Sequence, residues 1–280
     1  MRNERKPAAT RFATLVAYCR LTPSDGPLAM LNLITHDAVT EINMARPPVN
    51  ALNIELLRAI RHGVDDAVRA GARGLVLSGA PGLFSAGVDV PALLGRDREG
   101  VQEFWREFFH TCSKLAMSPV PVVAAITGHS PAGGAVLSLF CDYRVMAEGP
   151  FRIGLNEVQV GLVVPESIQQ ALRRTVGPYR AERLMVAGAM IESSEALACG
   201  LVDELTNVEQ VVTRALHWMQ GMLALPSNAM LKTRAIARAD LTKVWADPDA
   251  LSIDEFLDAY FHPETQTVLQ QLVARLKKKD

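Results

Sequence analysis

Three features of the sequence carry residue types suited to chemistry. Ser78–Val90 reads SGAPGLFSAGVDV and Gly128–Gly134 reads GHSPAGG, each directly after an apolar run with the pattern of a buried strand. Glycine at such places leaves backbone N–H groups free to face a ligand, because no Cβ blocks approach and positive φ is open. Neither loop fits GxxxxGK[ST] or GxGxxG, so nucleotide binding of those two kinds has no support. Two separate loops, each offering one N–H, are suited to an oxyanion hole around a polarised carbonyl. The plainer alternative is that loops after strands are commonly glycine-rich. The third feature is Glu157, set in the largely apolar run FRIGLNEVQVGLVVP (Phe151–Pro165). A carboxylate among aliphatic side chains has its charged form disfavoured, and a base titrating near neutrality is what proton abstraction needs. An outward-facing glutamate on a half-buried strand accounts for the same pattern.

Other chemistries find less in the sequence. A serine elbow requires GxSxG, whereas around Ser130 the fifth residue is Ala132 and Pro131 adjoins the serine. The six histidines, His36, His62, His110, His129, His217 and His262, show no HExxH and no paired spacing, so no metal site is expected. His129, beside the second glycine loop, reads as a hydrogen-bonded loop histidine. Cys19, Cys112, Cys141 and Cys199 lie far apart with no CxxC pair and read as reduced, buried small hydrophobes.

Strands and helices must position these loops. Leu28–Ile34 and Val39–Met44 are β-rich runs around the turn-like Thr35-His36-Asp37, which predicts an opening hairpin. Leu57, Ile60, Val64 and Ala67 recur at helical spacing within Ile54–Val68, with Gly71 and Gly74 beyond. Gly74–Ser78 is a buried strand, Val101–Ala116 a helix, Val120–Ile126 a second buried strand, Ala135–Phe140 helical, and Tyr143–Ala147 a further strand. This alternation argues for α/β layering. Helices are expected at Ala181–Ala187, Glu195–Cys199, Val208–Ala224 and through Leu251–Leu276. The helix at 208–224 carries Val211, Ala215, Trp218 and Met222 on one stripe, to pack on the core, on another subunit, or on both.

At 280 residues the chain has room for one large α/β domain or a domain with an appendage. With 49% hydrophobic and 21% charged residues it is globular rather than disordered. Lys+Arg 29 against Asp+Glu 30 leaves a net charge of −1, which argues against a nucleic-acid partner. No apolar run approaches the roughly 18 residues of a membrane span. The start carries Arg2, Arg5, Lys6, Arg11 and Arg20 against Glu4, with no apolar signal core, and is expected to be a flexible tail. A cytoplasmic protein is expected, with a mitochondrial or peroxisomal matrix as the alternative.

The loops and Glu157 together resemble the crotonase superfamily, the enoyl-CoA hydratases and isomerases. The matching pieces, in the family's order, are RPPVNALN (Arg46–Asn53), GLVLSGAPGLFSAGVDV (Gly74–Val90), PVVAAITGHSPAGGAVLSLFCDYRV (Pro121–Val145), GLNEVQVGLVVP (Gly154–Pro165) and AxxxGLVDEL (Ala196–Leu205). The resemblance implies an α/β spiral of ββα units over residues 28–205, after the 1–27 tail and before a 206–280 helical segment that assembles trimers or hexamers. It also implies an acyl-CoA thioester as ligand, with coenzyme A entering as part of the substrate and no separate cofactor. The thioester oxygen would be held by the N–H groups of Val88 and Gly133, with Ala86, Gly87, Asp89, Val90 and Asn156 contacting the substrate. Val136, Leu162, Phe104 and the 101–116 helix would line the acyl pocket.

The hydratases of the superfamily pair two glutamates to handle water. Here Val136 stands at the first of those positions and Glu157 at the second, so efficient hydration of a 2-enoyl thioester is not expected. GLNE and GHSPAGG resemble the Δ3,Δ2-enoyl-CoA isomerase branch, in which one glutamate moves a proton between two carbons of one substrate. The resemblance therefore implies Glu157 as the acid/base of a β-oxidation isomerase. A hydratase, another one-carboxylate acyl-CoA reaction, or an acyl-CoA-binding protein without catalysis stands as the alternative.

Overall fold

The computed structural model describes residues 30–277. The expected 1–27 tail, the first residues of the 28–34 run, and Cys19 lie outside them; of the other cysteines expected to be buried, Cys112 and Cys141 are, while Cys199, at the end of a short surface helix, is only partly so. In chain order the strands are β1 (Leu31–His36), β2 (Val39–Met44), β3 (Gly74–Ser78), β4 (Gly82–Leu83), β5 (Val122–Ile126), β6 (Gly128–Pro131), β7 (Tyr143–Ala147), β8 (Arg152–Gly154), β9 (Ile191–Glu192) and β10 (Glu204–Thr206). The helices are α1 (Ile54–Arg69), α2 (Val90–Leu94), α3 (Arg98–Ala116), α4 (Gly133–Leu139), α5 (Glu166–Val176), α6 (Pro178–Val186), α7 (Ser193–Ala198), α8 (Val211–Leu223), α9 (Ser227–Ala237), α10 (Ala239–Trp245), α11 (Asp254–Phe261) and α12 (Pro263–Leu276).

The strands form a six-stranded sheet in the order β1-β2-β3-β5-β7-β10 and a four-stranded sheet in the order β4-β6-β8-β9. Successive pairs β3/β4, β5/β6 and β7/β8 each send their first strand to the large sheet and their second to the small one. The pairings β3 to β5, β5 to β7, β4 to β6 and β6 to β8 are all parallel. A chain that repeats this step winds into a spiral of ββα turns. β3 and β5 are buried along their whole length, as a sheet covered on both faces requires.

Local signals set most boundaries. Asn53 caps α1 by accepting from the Leu56 N–H at 2.9 Å, and Ile54, Leu57, Ile60, Val64 and Ala67 turn inward along it. Asp97 caps α3 in the same way through Gly100, so the helix begins three residues before the expected Val101. β5 starts at Val122 rather than Val120, because Pro121 has no N–H to give the ladder, although its carbonyl accepts from Leu75 at 2.9 Å. The opening turn is Asp37-Ala38, not Thr35-His36-Asp37. His36 pairs with Val39 and its Nε2 lies 2.9 Å from Glu41 Oε2, while Asp37 takes the positive φ of 53°.

The helices beyond Leu205 pack back onto the spiral. α8 lays Val211, Ala215 and Met219 against Val76, Val123, Val145 and Ala147 of the large sheet. The expected stripe is thus rotated: Met219 continues the four-residue step, Trp218 stacks at the edge on Tyr143 with centroids 4.6 Å apart, and Met222 is half-buried. The helix expected through Leu251–Leu276 is two, broken where His262 caps α12 and Pro263 opens it. Among the described residues no helix is long and apolar enough to cross a membrane.

Candidate active site

The two glycine loops meet. Gly87 has φ +81°, and a Cβ there would lie 3.0 Å from the Pro131 carbonyl oxygen and 3.5 Å from the Gly133 nitrogen. A Cβ on Gly133 would lie 2.8 Å from Leu52 Cδ1 and 3.6 Å from the Val88 nitrogen. Gly87 is fixed by its positive φ and by the close approach of the second loop's backbone, whereas at Gly133 a Cβ would press on the Leu52 and Phe108 side chains. The first loop is tied down by hydrogen bonds from Leu52 N to Gly87 O (2.7 Å), Asp89 N to Leu52 O (3.0 Å) and Gly87 N to Ser85 Oγ (3.1 Å). Arg46 adds a 2.7 Å ion pair to Asp89, whose other oxygen caps α2 at Ala92.

The second loop is not loop throughout, since Gly128–Pro131 is strand β6. It turns at Ala132, whose φ of 44° and ψ of −118° are strained for a residue with a side chain. Ala132 N donates to Gly154 O at 2.8 Å and its carbonyl accepts from Val136 N at 2.9 Å, which holds the turn and starts α4 at Gly133. Among the described residues, the N–H groups of Val88 and Gly133 find no protein acceptor. Two adjacent free donors on two tethered loops are the arrangement that stabilises a developing oxyanion without reorganising.

Glu157 lies neither on a strand nor facing outward. It opens a 3₁₀ turn, Glu157–Val160, and is 8% exposed. The turn is held from two sides. Gln159 Nε2 donates to Gly188 O at 2.7 Å, and Thr265 Oγ1 on α12 donates to Gly161 O at 2.8 Å. Glu157 Oε2 is buried without a hydrogen-bond partner among the described residues, and so is Asn156 Oδ1 beside it. Burial pushes the Glu157 carboxyl up to about 7, against a smaller opposing pull from its own backbone N–H. A carboxyl raised in this way is chemically suited to take up a proton near neutral pH.

These parts face one cavity of about 610 Å³. Its wall includes Ala86, Val88, Asp89, Val90, Gly133, Asn156 and Glu157, whereas Gly87, expected to contact the substrate, is not among the lining residues and shapes the loop instead. Val136 and Leu162 line it as expected. Phe104 does not: it is buried in the core, and the neighbouring Trp105 and Phe108 of α3 take the cavity wall. Residues the sequence reading did not name complete the enclosure, with Phe256 and Tyr260 from α11 and Leu269, Leu272 and Leu276 from α12. The signal available for these was the spacing Phe256, Tyr260 and Leu269, Leu272, Leu276, which places each set on one helical face.

Residues 35–277 match the family described as enoyl-CoA hydratase/isomerase. The chain belongs to the enoyl-CoA hydratase/isomerase family. Within it, this chain is 33% identical over 244 residues to human enoyl-CoA delta isomerase 1, mitochondrial, covering 86% of this chain and 80% of that protein. A probable enoyl-CoA hydratase EchA17 of Mycobacterium tuberculosis is 29% identical over 221 residues, covering 77% of this chain and 83% of that one. The fold superposes on the crystal structure of human mitochondrial delta3-delta2-enoyl-CoA isomerase with a TM-score of 0.84 and 31% identity, over 90% of this chain and 99% of that one. The spiral is therefore the crotonase fold, and both isomerases and hydratases stand among its relatives.

Proposed function

We propose that this family member is a Δ3,Δ2-enoyl-CoA isomerase that uses Glu157 as its only acid/base. The supporting observation is the solitude of that carboxylate. Among the described residues lining the cavity the acidic side chains are Asp89 and Glu157, and Asp89 is committed to Arg46 and the α2 N-terminus. Val136, at the first of the two positions where a hydratase would place its glutamates, is an apolar part of the wall. A carboxylate working alone can return to a substrate the proton it took, but has no partner with which to orient water.

The step balances without a cofactor. Glu157 takes a proton from C2 of a 3-enoyl thioester, and the C–H electron pair becomes the C1–C2 double bond of a dienolate. The charge collects on the thioester oxygen between the Val88 and Gly133 N–H groups, each worth on the order of 3 kcal/mol to such a charge. Glu157 then delivers the proton to C4, the double bond moves to C2–C3, and the carboxylate is regenerated. The same reading assigns a homotrimer or hexamer. It is supported by a surface groove of about 480 Å³ that includes the exposed Val158, Val163 and Val186, and a single 30.4 kDa species in sedimentation at micromolar concentration would count against it.

The test is a paired assay with 3-enoyl-CoA and 2-enoyl-CoA of matched length, followed by conjugated-thioester absorbance. Absorbance is expected to rise with the first and persist with the second. Its loss with the second, through 3-hydroxyacyl-CoA formation, would make the protein a hydratase.

A further inference from the structure

Thr265, in the first turn of α12, is 2% exposed and is not among the residues that line the cavity. Its Oγ1 donates to the Gly161 carbonyl at 2.8 Å, and among the described residues that carbonyl takes no other hydrogen bond. The N–H at the opposite edge of the same peptide unit, that of Leu162, donates to the carbonyl of Glu157 at 3.0 Å. A trans peptide unit is planar and its C=O and N–H point in opposite directions, so Thr265 and the Glu157 backbone are joined through one rigid plate. Gly161 itself takes φ +79°, and a Cβ there would lie 2.6 Å from Thr265 Oγ1 and 3.0 Å from Thr265 Cα. The backbone of α12 therefore lies directly against the end of the turn that carries Glu157.

The helix that holds the turn also closes the cavity. Thr265, Leu269, Leu272 and Leu276 follow at steps of four, three and four, which is one face of α12, and the three leucines are part of the cavity wall. Among the described residues no side-chain hydrogen bond fixes the Glu157 carboxyl, so its position is inherited from the backbone of a turn only four residues long. Proton transfer between two carbons tolerates little error in that position, since a displacement of about 1 Å can cost on the order of 100-fold in rate. A bond that steadies the turn from a helix about one hundred residues further along the chain is thus placed to act on the reaction without touching the substrate.

We infer that Thr265 is a positioning residue for Glu157: its hydroxyl, through the Gly161–Leu162 peptide, ties the base to the helix that closes the acyl cavity. The inference deepens the isomerase reading and rests on it for the role of Glu157. Its test compares Thr265→Val, which keeps the shape and removes the donor, with Thr265→Ser, which keeps the donor; Thr265→Ala serves if the valine variant does not fold. With 3-enoyl-CoA, kcat per folded molecule falls roughly ten- to hundredfold in Thr265→Val while KM moves less than about threefold, and Thr265→Ser restores kcat. The second readout needs no turnover: the Glu157 carboxyl is titrated by carbon-13 NMR, its resonance identified by its loss in Glu157→Gln. A turn released from α12 admits water to the carboxyl, so the midpoint moves down from about 7 toward the ordinary carboxyl value in Thr265→Val and stays in place in Thr265→Ser. A titration that is unchanged in Thr265→Val, or a shift that serine does not reverse, overturns the inference and leaves the bond a matter of stability alone. A reversible shift in a protein unable to isomerise 3-enoyl-CoA supports the positioning and rejects the isomerase. Isomerisation with an unmoved titration does the reverse.

Discussion

Asp142 and Glu157 are both carboxylates largely enclosed by protein, and their surroundings are opposite. Asp142 Oδ1 meets Arg234 Nε at 2.8 Å and Arg238 Nη1 at 3.0 Å, while Oδ2 meets Arg234 Nη2 at 2.9 Å and the Val122 N–H at 2.8 Å. Both oxygens are occupied, and the cluster fastens α9 and the start of α10 to β5 and the end of α4. Glu157 lines a cavity built from helices, a turn and two loops, and its Oε2 is buried with no partner among the described residues. A charge that the fold pairs completely serves the fold, and the one that it buries alone is the one we propose for the reaction. The same contrast predicts opposite responses to substitution.

The largest effect is expected from Glu157→Gln. Turnover of 3-enoyl-CoA falls about 10³- to 10⁴-fold while calorimetry still detects the bound thioester; unchanged turnover would break the contrast at once. Asp142→Ala is expected to destabilise by about 3–5 kcal/mol, measured by urea unfolding, because two guanidinium groups lose their partner. Turnover per folded molecule stays at the wild-type level.

A pH series sharpens the comparison. The Glu157 carboxyl titrates at about 7 in the folded protein against an ordinary 4.5. Below about 4.5 it is protonated folded and unfolded, so wild type and Glu157→Gln differ little from this source. As pH rises toward 7 the unfolded chain releases that proton more readily, and wild type loses stability relative to the variant, up to roughly 3 kcal/mol above neutrality. A gap that is constant with pH would show that Glu157 is not a lone buried charge. The forward rate follows the opposite trend, rising through the same pH range as the base form fills.

Smaller effects come from the loops. Gly87→Ala forces a side chain into positive φ and toward the Pro131 carbonyl, and should lower kcat about 100-fold by moving the Val88 donor. Arg46→Met releases Asp89 and is expected to raise KM by a factor of about three, with less effect on kcat, since that ion pair is partly solvent-exposed.

The chemistry was legible in the sequence where it is local. Glycines after buried strands and a glutamate in an aliphatic run report their own surroundings and single out the two loops and Glu157 from segments a dozen residues long, whereas the choice of Val88 and Gly133 within those loops rests on the family resemblance. The distant wall was not legible. Phe104, Trp105, Phe108 and Phe109 are all buried on α3, and periodicity alone does not tell which of them faces core and which faces cavity. The place of Tyr260 on the cavity wall depends on how α11 packs against the rest of the chain, about one hundred residues away in sequence from Glu157. β6 was read as loop because GHSP has no strand alternation and gains its ladder through pairing with β4 and β8.

The central claim is that one buried carboxylate carries the proton from C2 to C4. It is tested most directly by turning over 3-enoyl-CoA deuterated at C2 in ordinary water and locating the label in the product by mass spectrometry and NMR. The account predicts that a measurable share of the deuterium arrives at C4, carried there by Glu157 out of contact with solvent. A product whose new C4 hydrogen comes entirely from water would contradict it.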